Sequence, residues 1–191
     1  MIILASKSAS RQAMLSAAGV PFEAQPASVN ERALEAKMQG ARPDQVALAL
    51  AEAKALAIDS EHPVLGSDSL VVCSGKRFDK PATSEEAADH LRQFSGHVMQ
   101  LHSAAAIAWG GEIKWRHAAL ASLQVRELSK DFIVSYLDTE WPAVSHCVGV
   151  FRIEGPGVQL FERIEGDQFT VLGMPLLPVL GALRDMGAMQ A

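Results

Sequence analysis

Four stretches of this chain set hydroxyls, cations and carboxylates where they could work on an anionic ligand. In Leu4-Ala5-Ser6-Lys7-Ser8-Ala9-Ser10-Arg11, small hydroxyl residues and two cations lie between an apolar run and a helix-like pattern. Such a loop offers backbone N–H groups, the hydroxyls of Ser6 and Ser8 and the Arg11 guanidinium to phosphate oxygens. It matches neither the Walker pattern nor GxGxxG, and its other reading is a serine-rich helix cap with solvated Lys7 and Arg11. Gly66-Ser67-Asp68-Ser69 puts a carboxylate between Val64-Leu65 and Leu70-Val71. Strand interiors disfavour Asp, so an ionised Asp68 there needs a partner. Either a metal ion or a catalytic water supplies it, or Asp68 bonds to hydroxyls or backbone at a strand end. The stretch is not a GxSxG nucleophile elbow. Lys54, inside LALAEAKALAI, either snorkels to water or points at an anion. Lys80, in Asp79-Lys80-Pro81, is either an ammonium fixed by the following proline or an ordinary solvated lysine. His97 and His102 are five apart and face opposite sides of a strand, and the other four histidines lie singly, so no histidine metal site is indicated. Trp109, Trp115 and Trp141 show no basic interleaving and read as packing residues.

Hydrophobic period and punctuation supply the elements that hold these residues. Met1 to Ala5 reads as a buried strand, with a helix following the serine loop up to Gly19. Pro21 to Pro26 is a second strand candidate, and Pro43 opens a long Ala/Leu helix running toward Asp59. Pro63 to Val72 reads as a strand, and Ser84 starts a short helix with acids at its positive end, closed by Gly96. His97 to Trp109 and Ile113 to Arg126 resemble two long strands joined at Gly110-Gly111. Ser129 caps a helix to about Leu137, His146 to Ile153 and Val158 to Ile164 are strand candidates, and the tail is a helix despite Pro178. Early alternation with a central hairpin predicts a mixed α/β sheet with helices around it.

The chain has 191 residues, 49% of them hydrophobic and 20% charged, which suits one large domain or two closely packed lobes and excludes disorder. No apolar run approaches a membrane span. The net charge of −5 argues against capture of long nucleic acid, so a phosphate-bearing ligand must meet a local basic cluster. Cys73 and Cys147 form no CxxC pair, which fits a reducing compartment, and the apolar opening lacks a signal peptide's basic segment. The expected location is cytoplasmic.

Taken together, these stretches resemble the Maf family of nucleoside triphosphate pyrophosphatases over nearly the whole chain. Where that family opens LASxSPRRxxLL, this chain reads LASKSASRQAML. Asn30-Glu31, AEAKALA, GSDSLVV, DKPATSEEAADHLRQFSG and IEGDQFTVLGMPLLPVLGALRDMG follow in the family's order. The segment HCVGVFRIEGPGVQLFERIEG is similar to the branch associated with 7-methyl-GTP, with Cys147 and Glu154 at its diagnostic positions. Ala9 and Ser10 replace the Pro and one Arg of SPRR, leaving Arg11, and Asp79 stands where Gly usually precedes Lys-Pro. Ser10 also replaces that branch's Trp, and Ser69 its Gln.

The resemblance implies one Maf-like domain over residues 1–191. Its fold would be α/β and inosine triphosphatase-like: a mixed elongated sheet flanked by helices, in two lobes around a central groove. It implies hydrolysis between the α- and β-phosphates of a nucleoside triphosphate with Mg²⁺ or Mn²⁺. Asp68 would be the general base and touch the metal, Glu31 would help hold the cation, and Lys80 would stand with Asp68 among the catalytic residues. Arg11, Lys54, Lys80 and the loop serines Ser6 and Ser8 would bind phosphates. Ser10, Ser69 and Glu154 would set substrate choice, although Glu154 also reads as a turn-flanking acid before Gly155. A homodimer is implied as well, and neither a nucleic-acid polymer nor a membrane is an expected partner. The alternative is a catalytically weakened nucleotide-binding regulator of cell division, suggested by the lost Arg and the added Asp79.

Overall fold

The apolar opening Ile2–Leu4 forms strand β1, buried along its whole length. Ser8 then caps helix α1 (Ala9–Ala17), its hydroxyl accepting from the Arg11 amide at 3.4 Å. Strand β2 (Phe22–Ala24) returns parallel to β1. Helix α2 (Glu31–Ala36) follows, capped by Asn30. Helix α3 (Pro43–Leu56) has Pro43 in its first turn, where the missing N–H is harmless. The remaining elements of this computed structural model, which describes residues 1–190, are β3 (Val64–Cys73), β4 (Lys76–Phe78), α4 (Ser84–Phe94), β5 (Val98–Trp109), β6 (Glu112–Val125), α5 (Lys130–Glu140), β7 (Phe161–Glu165), α6 (Gln168–Val171) and α7 (Leu176–Asp185). One seven-stranded sheet runs in the order β2-β1-β3-β5-β6-β7, with β4 paired to β3. It is mixed: β1 pairs β2 and β3 in parallel, whereas β3 with β4 and β6 with β7 are antiparallel. Gly110 and Gly111, at φ 63° and 77°, make the two-residue turn between β5 and β6 that right-twisted strands favour.

The described chain forms two compact units, the first built from residues 1–69, 102–119 and 167 onward, the second from 70–101 and 120–166. In the first, Leu4, Leu65 and Ile107 of the sheet pack with Met14 and Leu15 of α1 and with Met174, Val179 and Leu183 at the C-terminal end. Each fully buried side chain of this size contributes roughly 1.5–3 kcal/mol. In the second, Phe78, His90 and Phe94 form an edge-on aromatic cluster, and Phe151 meets Phe161 at 4.8 Å between ring centres. The buried Glu140 carboxylate accepts two 2.9 Å bonds from Arg152 there, and the Tyr136 hydroxyl donates to the Val150 carbonyl. No helix among the described residues is long and apolar enough to cross a membrane.

Two sequence expectations need correction. His146–Ile153 is not a strand: Ala143–His146 is a 3₁₀ turn, Val150 has φ 57°, and its carbonyl is held by Tyr136. Alternating apolar residues there mark a looped cover over aromatic rings, since a Cβ at Gly149 would lie 2.6 Å from the Phe151 ring. The Val158–Ile164 candidate is half right, because Pro156–Leu160 is 3₁₀ and only Phe161–Glu165 extends. Helix α4 starts at Ser84 as expected, with Thr83 as its cap, accepting from the Glu86 amide at 3.1 Å. Helix α3 opens at Pro43 and runs toward Asp59 as expected, ending at Leu56.

Candidate active site

Strand β3 carries its chemistry on alternate faces, as a two-residue period requires. Gly66 and Asp68 face helix α3. A Cβ at Gly66 would lie 2.1 Å from the Ala51 carbonyl oxygen and 2.6 Å from the Ala55 amide, so only glycine lets the helix come so near. That approach brings Lys54 within reach of the strand. Its ammonium donates to Asp68 Oδ1 at 2.5 Å and meets Glu31 Oε1, at the start of α2, at 2.9 Å. The Lys54 and Asp68 side chains are only 13% and 12% exposed and Glu31 is 48% exposed, so the inner pair is shielded from solvent while the outer carboxylate faces it. Lys54 therefore points at an anion, and Asp68 finds its partner in that ammonium.

Ser67 and Ser69 project to the other face, toward Arg11. The guanidinium is half-buried and reaches three neutral acceptors: Nε donates to the Gly173 carbonyl at 3.0 Å, Nη1 to Ser6 Oγ at 3.3 Å and Nη2 to Ser69 Oγ at 3.2 Å. Ser67 Oγ donates to the same Gly173 oxygen at 3.1 Å, and Ser69 Oγ lies 2.9 Å from both that oxygen and Ser103 Oγ. Ser103 donates onward to the Thr170 carbonyl at 2.8 Å. Gly173 has φ +104° and would bring a Cβ to 3.2 Å from Ser69 Oγ, so the turn that presents this carbonyl requires glycine. Burial draws the Arg11 pKa down, and the charges of Asp68 and Glu31 push it back up. A guanidinium keeps its proton throughout, so Arg11 supplies a full positive charge.

The anticipated residues fall into two sets. Ser6, Ser8, Ser10, Arg11, Glu31, Lys54, Asp68 and Ser69 belong to the first unit, Lys80 and Glu154 to the second. Within the first, Ser6 is buried, accepting from the Ser8 amide at 3.1 Å as well as from Arg11. Ser8 is the helix cap, Ser10 lies in the first turn of α1, and Lys7 is exposed. The loop is thus a cap and a cation holder together. Within the second, Lys80 and Glu154 are exposed and share an electrostatic neighbourhood with Cys147. Burial raises that thiol's pKa, Glu154 raises it further, and Lys80 and Arg152 oppose them.

Glu31 and Asp68 suit a hard divalent cation in donor type. They are two carboxylates converging on one ammonium, and Mg²⁺ is commonly held by one or two carboxylates together with substrate phosphates. No cluster of three or more His, Cys, Asp or Glu among the described residues would hold a metal without such added oxygens.

Several groups around Arg11 and Asp68 escape a reading of the sequence. Gly66 left a signal, a glycine inside an apolar strand with an Ala-rich helix nearby. Ser67 and Ser103 are hydroxyls in strand interiors, visible as oddities but without an evident partner. The Gly173 and Thr170 carbonyls leave none, because a backbone acceptor has no residue type.

A family model described as Maf-like protein matches residues 1–186. The 7-methyl-GTP pyrophosphatase of Rhizobium meliloti (strain 1021) is 46% identical over 196 residues, covering 100% of this chain and 98% of that protein. A nucleoside triphosphate pyrophosphatase of Sphingopyxis alaskensis (strain DSM 13593 / LMG 18877 / RB2256) is 47% identical over 192 residues, covering 97% of each. Among solved structures, a HAM1 protein from Coxiella burnetii superposes with a TM-score of 0.41 at 15% identity, covering 68% of this chain and 74% of that one. With one family model running from Met1 to Met186 and relatives nearly half identical along their whole length, the chain belongs to the Maf family.

Proposed function

We propose that this protein hydrolyses the α–β phosphoanhydride of nucleoside triphosphates, giving a nucleoside monophosphate and pyrophosphate, with 7-methyl-GTP as preferred substrate. The observation that carries the reading is Asp68, a shielded strand carboxylate held by Lys54 with the cationic Arg11 in the same unit. A strand-interior carboxylate on such a mount is poorly suited to packing and well suited to handling a proton next to a polyanion. Water attacks the α-phosphorus, its oxygen forms the new P–O bond, and its proton passes to Asp68. The bridging P–O bond breaks and its electron pair leaves with the pyrophosphate. Arg11 and Lys54, with Lys80 by resemblance, bind the phosphates and balance the leaving charge. Ser6 and Ser8 hold the loop that presents Arg11. A Mg²⁺ or Mn²⁺ ion held by Glu31 and Asp68 would supply further neutralisation of phosphate charge.

The 7-methyl-GTP preference is supported by the relatives that carry that name and by Cys147 and Glu154 at the positions the resemblance marks. The exposed Glu154 carboxylate accepts from the N–H edge of guanine and favours a cationic methylated base over a neutral one. Ser10 and Ser69 join it as specificity positions by resemblance.

The test is pyrophosphate release from the four common NTPs, dTTP and 7-methyl-GTP with Mg²⁺ or Mn²⁺. Asp68→Asn is expected to lower turnover by roughly 10²- to 10⁴-fold while the thermal melt stays cooperative. Full turnover in that variant removes Asp68 from the mechanism. Glu154→Gln is expected to narrow the ratio of kcat/KM for 7-methyl-GTP over GTP, and an unaltered ratio rejects its part in base recognition. A folded protein that binds nucleotides and hydrolyses none favours the regulator instead.

A further inference from the structure

Counting protons around Arg11 shows how its guanidinium is held. The Gly173 carbonyl oxygen has two lone pairs and three donors within reach: Arg11 Nε at 3.0 Å, Ser67 Oγ at 3.1 Å and Ser69 Oγ at 2.9 Å. If Arg11 and Ser67 fill it, the single Ser69 proton must go elsewhere, and Ser103 Oγ stands 2.9 Å away. Ser103 can accept that proton because its own is directed to the Thr170 carbonyl at 2.8 Å. With its proton turned to Ser103, Ser69 offers its lone pairs to Arg11 Nη2 at 3.2 Å. Ser67, Ser103 and Thr170 are wholly buried, so water cannot replace a missing link. The chain of donors has one direction, from Arg11 through Ser69 and Ser103 to the α6 segment.

We propose that Ser103 is a positioning residue for Arg11, fixing through Ser69 the orientation in which the guanidinium meets phosphate. The hydrogen bonds of Ser103 go to Ser69 and Thr170, and those of the Arg11 guanidinium to Gly173, Ser6 and Ser69, so the two meet through Ser69. Ser103 acts by drawing the Ser69 proton off the Gly173 oxygen, so that this acceptor is left to Arg11 Nε and the guanidinium is held in place by neutral groups. In its absence the Ser69 proton turns back to the Gly173 oxygen and competes with Arg11 Nε for it. The consequence for turnover rests on the function proposed above, whereas the binding of Arg11 to phosphate can be measured without it.

The experiment is a double-mutant cycle read by calorimetric affinity for inorganic pyrophosphate in Mg²⁺, with pyrophosphate release from 7-methyl-GTP measured alongside. Ser103→Ala is expected to weaken pyrophosphate binding about three- to tenfold in the natural background. In the Arg11→Ala background it is expected to do nothing more, since coupled residues are non-additive. Ser103→Thr, which restores the hydroxyl, is expected to recover most of the affinity. In turnover, Ser103→Ala should raise KM and also lower kcat, since Arg11 both binds the phosphates and balances the leaving charge. Equal weakening by Ser103→Ala in both backgrounds, or none in the natural one, overturns the proposal. Unchanged pyrophosphate affinity in Arg11→Ala also overturns it, together with the phosphate role of Arg11. A full coupling without hydrolysis of any nucleotide upholds the positioning role and rejects the pyrophosphatase. An active enzyme with no coupling does the reverse.

Discussion

At the scale of single residues, Lys54 does two things that its sequence position left open. It neutralises a shielded Asp68 at 2.5 Å and an exposed Glu31 at 2.9 Å, so removing it strands an interior negative charge. Breaking a buried ion pair from one side commonly costs about 3–5 kcal/mol, whereas removing both partners is far cheaper. Lys54→Met is therefore expected to lower the denaturant midpoint more than Lys54→Met/Asp68→Asn does. A double variant as unstable as the single one contradicts that electrostatic account. Both variants should lose pyrophosphate release, so stability and activity part company in the pair. The sequence showed Asp68 as a carboxylate in need of a partner and Lys54 as a cation in need of an anion. It did not join them, because fourteen residues of separation carry no information on which face of a strand meets which turn of a helix.

At the scale of elements, the joining is done by Gly66. With the Ala51 carbonyl only 2.1 Å from where a Cβ would stand, α3 must shift or the strand must bend in Gly66→Ala. Overpacking of this kind costs about 3 kcal/mol. The variant is expected to show that loss in urea unfolding and a fall in turnover as Lys54 is carried off Asp68. Wild-type stability in Gly66→Ala would mean that α3 is less firmly seated than the spacing indicates. Most elements were legible because their period and punctuation agree: Pro43 at a helix start, Gly110-Gly111 between long strands, Ser129 as a cap. The reading failed at residues 146–160, where alternating apolar residues cover aromatic rings without ladder pairing. It passed over β4, α2 and α6, whose short lengths give periodicity too little to act on. The serine loop was legible as a cap or an anion loop, and the structure makes Ser8 the cap and Arg11 the inward cation.

At the scale of the whole molecule, buried titratable groups set the pH range of stability. Burial lowers the pKa of His90, reinforced by Lys76 and opposed by Glu86, Asp89 and Asp79; burial likewise lowers His102, with Asp44 opposing. Each native imidazole then favours its neutral form, so this contribution is present above the unfolded value near 6.5 and is lost as pH falls through the folded values. Burial raises Cys73, Cys147 and Tyr136, whose contributions are complete below their unfolded values and fade as pH rises past them. The melting temperature should therefore peak between about pH 6.5 and 8.5. His90→Phe, which keeps a ring against Phe78, is expected to flatten the acid limb, and an unchanged limb in differential scanning calorimetry excludes His90 as its source. The alternation along β3 also bears on how such a chain can diversify. A point exchange at position 69 alters the arginine's surroundings and leaves the carboxylate facing its lysine, whereas one inserted or deleted residue would swap the two faces at once. Descent through this segment is thus closed to changes of length, and indels between Val64 and Ser69 should be purged, whereas an exchange at Ser69 is felt on the arginine's face alone.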